Sequence, residues 1–179
     1  YDKPMENWIA GFTVEAFYNR LKDAFYLQPI GQDQHGELFE KQNGQSATVS
    51  GLTLELRANY KQKIQFEAGG TLQTNKYENT VPYIDGLPPT REFIRTPNHY
   101  GFMVLSLNPS KRLSANINYV YTGQMLVPHF AGAENQLFDE MVNTEMFSNL
   151  SFKLNYAMDI KKSNLIMEYY LGVKNILNA

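Results

Sequence analysis

Histidine is the residue to weigh first, because imidazole is both a common metal ligand and a general base near neutral pH. His35, His99 and His129 stand too far apart for a zinc motif, and each falls in or beside a stretch that reads as a loop. Cysteine is absent, which removes thiolate ligands and disulfides together. These histidines read as solvated or loop-packing residues. Glu15, Glu55 and Glu67, with Arg57, raise the chemistry of paired carboxylates, as in glycoside hydrolysis. Opposite charges facing each other across strands are ordinary sheet stabilisers, so a hydrated charge ladder is the better account. Glu134, Asp139 and Glu140 could meet a cation, but their spacing fits no EF-type loop, and solvation again suffices. There is no glycine-rich phosphate cradle and no nucleophile elbow. We expect no catalytic residue, no metal site and no cofactor.

The elements that carry these residues are strands. Aromatics make up 13% of the 179 residues, with 12 Tyr and 11 Phe, a composition that suits pleated surfaces on which rings pack well. A net charge of -2 leaves no basic stripe to neutralise a phosphate backbone, which argues against nucleic acid. No run of about 18 apolar residues exists, so no transmembrane helix is expected. A membrane β-barrel escapes that criterion, because its strands alternate apolar and polar. The sequence opens with Tyr1, without initiator Met or signal peptide, as expected of a mature fragment.

Period-two alternation recurs along the chain. Leu52, Leu54, Leu56, Ala58 and Tyr60 oppose Thr53, Glu55, Arg57 and Asn59. After Lys61-Gln62-Lys63 it restarts, with Ile64, Phe66, Ala68, Gly70 and Leu72 on one side. Similar stripes begin at Trp8, Leu113, Leu150 and Leu165, whereas Tyr100 to Leu107 is apolar on both sides and leaves its faces unassigned. About seven strands result. Short connections (61–63, 108–112, 159–164) alternate with long ones (28–36, 76–97, 123–145). In an up-and-down meander all the long loops then fall at one end, the asymmetry of outer-membrane barrels. Tyr18, Tyr60, Tyr119, Tyr121 and Tyr156 sit at or near the ends of the stripes, where a girdle would meet headgroups. A soluble or periplasmic β-barrel binding module with its apolar face inward explains the same alternation, and the pattern alone leaves both readings open.

Several phrases resemble the C-terminal half of TonB-dependent outer-membrane receptors, particularly Bacteroides-like ones. Gly11-Phe12-Thr13-Val14-Glu15-Ala16-Phe17-Tyr18-Asn19 is similar to an outward strand of that family, and Ser50-Gly51-Leu52-Thr53-Leu54-Glu55-Leu56 to its G-x-E-L-E-L strand, with Thr53 where Glu is common. Arg95-Thr96-Pro97-Asn98-His99 resembles R-x-P-x-H, Tyr121-Thr122-Gly123-Gln124 resembles Y-T-G, and the run from Gly172 to Asn178 resembles G-V-x-N-L-F-D/N. The phrases occur in the family's order over nearly the whole chain. The resemblance implies an all-β fold, an antiparallel up-and-down meander that is a segment of a transmembrane β-barrel of about 22 strands. It implies that residues 1–179 are the C-terminal part of that barrel, with plug and final strand absent. Its implied setting is the outer membrane of a Gram-negative bacterium. Its implied partners are outer-membrane lipid, TonB through the missing plug, a scarce solute (siderophore, haem, cobalamin or glycan) and a surface lipoprotein.

Ligand contact is expected in the long connections, where aromatics stand among turn formers. Tyr83 and Phe93 flank Gly86 to Pro89, and His129 and Phe130 follow Pro128. The same rings could instead pack the loops onto one another.

Overall fold

The computed structural model describes residues 1–132, 136–160 and 165–177, so Glu134, Asn164 and Asn178 lie outside the described residues. Every regular element among the described residues is a β-strand. The strands are β1 (Asp2–Pro4), β2 (Trp8–Leu21), β3 (Phe25–Asp33), β4 (Gly36–Asn43), β5 (Ala47–Tyr60), β6 (Ile64–Val81) and β7 (Thr90–Glu92). They continue as β8 (His99–Ser110), β9 (Leu113–Thr122), β10 (Leu126–His129), β11 (Glu140–Asn143), β12 (Phe147–Ile160) and β13 (Leu165–Val173).

The main sheet runs β1-β2-β5-β6-β8-β9-β12-β13, antiparallel throughout, with β7 added to the end of β6. It is an open meander whose neighbours in space are neighbours in sequence, apart from small hairpins inserted in the long connections. All of the expected strands lie in it. The register gives every strand the same two faces. Phe12, Leu56 and Ala68 form one cross-strand row that continues through Met103, Tyr119 and Leu150. The unassigned strand is thereby resolved: Gly101, Met103, Leu105 and Leu107 join the apolar face, while Tyr100, Phe102, Val104 and Ser106 join the polar one. From Tyr18 to the short turns no charged residue stands on the apolar face of any of these strands. Arg20 and Glu78, paired at 3.5 Å, mark where charge resumes on that side, past Tyr18.

Rings border this band. Near the short turns Trp8 lies 4.7 Å from Tyr60, and Tyr156 pairs with Tyr169. Near the long connections stand Tyr18 and Tyr121. The β5–β6 turn reverses through Lys61 and Gln62, both at positive φ (48° and 59°). Positive φ at both central positions of the turn from Tyr60 to Lys63 suits the twist of the flanking strands, and with Tyr60 paired to Ile64 the connection is three residues long. Lys63 N donates to Tyr60 O at 2.8 Å, and Gln62 N to Asn59 Oδ1 at 2.8 Å, closing it.

All three long connections are more ordered than their composition promises, the third (123–145) carrying the antiparallel β10–β11 hairpin. Residues 28–36, read as loop, belong to the β3–β4 hairpin, and β6 continues to Val81, well into the stretch read as loop from Lys76. At about 3.3 Å per residue the 18-residue β6 far exceeds the ~25 Å apolar band of a membrane barrel. Beyond Leu72 the apolar alternation disappears while backbone pairing to Ala47 and Thr48 continues.

Candidate functional site

The one compact apolar cluster among the described residues lies where the long connections fold against the outer ends of β5 and β6, away from the two-faced band of the sheet. Ala47, Tyr77, Val81, Tyr83 and Ile84 are buried, with Tyr26, Leu87, Phe93, Phe130 and Met141 packed on them. All three long connections contribute, and they close over the extension of the polar face to which Tyr77 and Asn75 belong. The apolar effect, which has no water-excluding second layer to act on along the sheet, acts here instead.

The four expected contact residues take different places. Tyr83 is 8% exposed, and its hydroxyl donates to Glu92 O at 3.2 Å. Burial, and then the neighbouring Tyr77 hydroxyl, push its pKa well above the usual tyrosine value. Phe93 packs on Tyr77 with ring centroids 4.4 Å apart. Phe130 meets Phe39 at 5.9 Å, joining the third connection to the first. His129 is exposed at the end of β10. Three of the four thus share one cluster, and His129 stands outside it.

A cleft of about 430 Å³ opens against this cluster, floored by Tyr77, Tyr83 and Phe93 and walled by Phe25, Tyr26 and Ile94. Lys41 and Arg95 bring positive charge to it, and Lys41 Nζ lies 4.4 Å above the Phe25 ring. An aromatic floor with two cations can hold a flat or partly anionic group. Sequence reasoning missed Phe25, Tyr26, Lys41 and Arg95, because the β3–β4 hairpin that supplies three of them carries no clean alternation.

The remaining candidates have structural partners. Arg57 holds both carboxylate oxygens of Asp2, at 2.7 and 2.9 Å, and donates to Thr13 Oγ1 at 2.9 Å, with Glu67 directly across the strand pair. His99 stacks on Tyr121 at 5.6 Å with its Nδ1 3.0 Å from the tyrosine hydroxyl, and Gly123 leaves the space its ring needs. The R-x-P-x-H and Y-T-G phrases therefore meet in space. Asp139 accepts from Ala131 N at 2.6 Å, and no group of three or more potential metal ligands occurs among the described residues.

No protein-family model matches the chain, and no curated protein does. Solved structures match it over nearly its full length. The ferric-catecholate import receptor Fiu from E. coli K12, in its closed form, superposes with a TM-score of 0.64 at 17% identity, covering 97% of this chain and 21% of that one. The siderophore receptor PirA from Acinetobacter baumannii superposes with a TM-score of 0.62 at 17% identity, covering 98% and 26%. The chain shares the fold of a segment of these receptors. It spans only 21% and 26% of their lengths. What is shared is the all-β up-and-down architecture; the aromatic cleft is described from this chain alone.

Proposed function

We propose that the chain is the C-terminal part of the barrel of a TonB-dependent outer-membrane receptor, which binds a scarce solute at its outer loops and admits it when TonB acts on a plug. The observation that carries this reading is the apolar face itself. From Tyr18 to the short turns it runs uncharged across the seven long strands β2, β5, β6, β8, β9, β12 and β13, is bordered by rings, and has every long connection at one end. The likeness to two receptors over 97% and 98% of the chain supports it.

A soluble barrel would turn the same stripe inward. Leu52, Leu54 and Leu56 are instead 55%, 47% and 46% exposed, with no second layer over them among the described residues. The charges of Glu55, Arg57 and Glu67 share the opposite face, which would line the lumen. The cleft at Phe25, Tyr83 and Phe93, together with His129, is the proposed contact region for solute, and a surface lipoprotein is proposed as an outer partner of the same loops. The identity of the solute is left among siderophore, haem, cobalamin and glycan.

The test is single-cysteine labelling of the intact receptor with a lipid-phase probe. Cysteines at Leu54, Leu56, Phe66, Ile117 and Leu154 are expected to react, and those at Glu55 and Arg57 are not. Labelling of the second set in place of the first would turn the barrel inside out and overturn the assignment.

A further inference from the structure

A second hollow, of about 240 Å³, lies beside the aromatic cleft and shares Phe93 with it. We propose that it is a subsite for one neutral polyhydroxylated ring, a sugar or cyclitol unit; as part of solute recognition, this rests on the receptor reading above.

The chemistry of the lining selects that class. Asn98, Gln124 and Asn143 present exposed carboxamides that make no hydrogen bond among the described residues. A carboxamide both donates and accepts, which is what vicinal hydroxyls also do, so the two match without a net charge on either side. Thr96 spends its hydroxyl proton on Ile94 O at 3.2 Å and is left as an acceptor. Glu92 adds a carboxylate, and neither Lys nor Arg lines the hollow, so an anionic group is repelled. An apolar ring would strip water from the amides and return nothing. Phe93 offers the flat wall against which the C–H face of a ring can lie. Asn75, also in the lining, is 5% exposed and its Nδ2 has no hydrogen-bond partner among the described residues, so an acceptor that reaches it completes a buried donor.

The size agrees. A volume of about 240 Å³ is below the ~300 Å³ at which sites for drug-sized ligands begin and far above the ~30 Å³ share of one water, so it suits a single small ring. The walls are tied before any ligand arrives. Arg95 N donates to Leu126 O at 2.8 Å, Gly123 N to His99 O at 2.9 Å, and Gln73 Nε2 to Pro97 O at 2.8 Å. A preformed hollow loses less entropy on binding than one that must be assembled.

The experiment is saturation-transfer NMR on the intact receptor in detergent, with glucose and myo-inositol as probes and benzoate as the anionic comparison. Saturable transfer to a polyol is expected, weakened about tenfold in Asn143→Leu and in Gln124→Leu, the equivalent of one lost hydrogen bond. Both side chains are exposed, and heat-modifiability of each variant reports that the barrel has assembled; Asn98→Leu replaces either one that does not. Benzoate transfer is expected to be the same in variants and parent. Absence of polyol transfer, or transfer equally strong in the variants, overturns the subsite. The cysteine labelling at Leu54 separates the two readings. Labelling without polyol binding removes the subsite and keeps the receptor, whereas variant-sensitive polyol binding without labelling keeps the subsite and removes the receptor.

Discussion

Tyr83 shows what the aromatic residues of the long connections do before any solute arrives. Its ring fills the loop cluster and its hydroxyl satisfies Glu92 O, so Tyr83→Ala is expected to cost about 3–5 kcal/mol of local stability, in the range of large-to-small changes at buried rings. The change should appear as rapid proteolytic nicking of the three long connections while the barrel stays heat-modifiable. Unchanged nicking would remove Tyr83 from the packing. The raised tyrosine pKa gives a second check with a definite sign. Above pH of about 10 the loosened state ionises its tyrosine while the packed state does not, so the cluster loses stability as pH climbs past that point. Loop protection should therefore hold below that pH and fade above it, and Tyr83→Phe should weaken the dependence. His129→Ala, exposed and outside the cluster, should leave nicking unchanged, and any effect it has on solute binding then reports contact directly. In the sequence all four residues looked alike, as rings among turn formers. Only burial separated Tyr83 from His129.

Among the elements, the β5–β6 hairpin states its own strain. Lys61 and Gln62 both occupy the left-handed region, which costs a side-chain-bearing residue on the order of 1 kcal/mol. Lys61→Asn with Gln62→Gly, residue types that tolerate positive φ at these two turn positions, should stabilise the refolded barrel by about 1 kcal/mol in denaturant titration. A decrease would show that the turn is held by side-chain contacts and not by backbone preference. The faces of the strands lend themselves to the same treatment. Leu54→Arg places a charge on the apolar face and should destabilise the barrel by about 2–4 kcal/mol, whereas Thr53→Arg on the other face should cost far less. Equal costs would contradict the two-faced assignment. Strands over the apolar band were legible because lipid or core selects alternate residues. The outer part of β6 and the β3–β4 hairpin were not, because backbone pairing alone holds them and places no such demand on side chains.

For the whole molecule the open sheet is the governing fact. Among the described residues β1 and β13 each present an unpaired edge, and such edges pair with other chains unless covered. Studied by itself in detergent, the chain is expected to self-associate into edge-paired oligomers with a β-type circular dichroism spectrum, as seen by sedimentation; substantial helix content would contradict the fold. Period-two alternation and the rhythm of short and long connections determined, by themselves, an antiparallel meander with one uncharged face and its long loops at one end. Both are local properties, written wherever a strand has one side in a different medium from the other. The faces of the strand from Tyr100 to Leu107, the meeting of Arg95 to His99 with Tyr121 to Gln124, and the gathering of three connections into one cluster beside two hollows were decided only in three dimensions. Each depends on residues far apart in sequence approaching to bonding distance, and the register that brings them together follows from closing every backbone pair in the sheet at once.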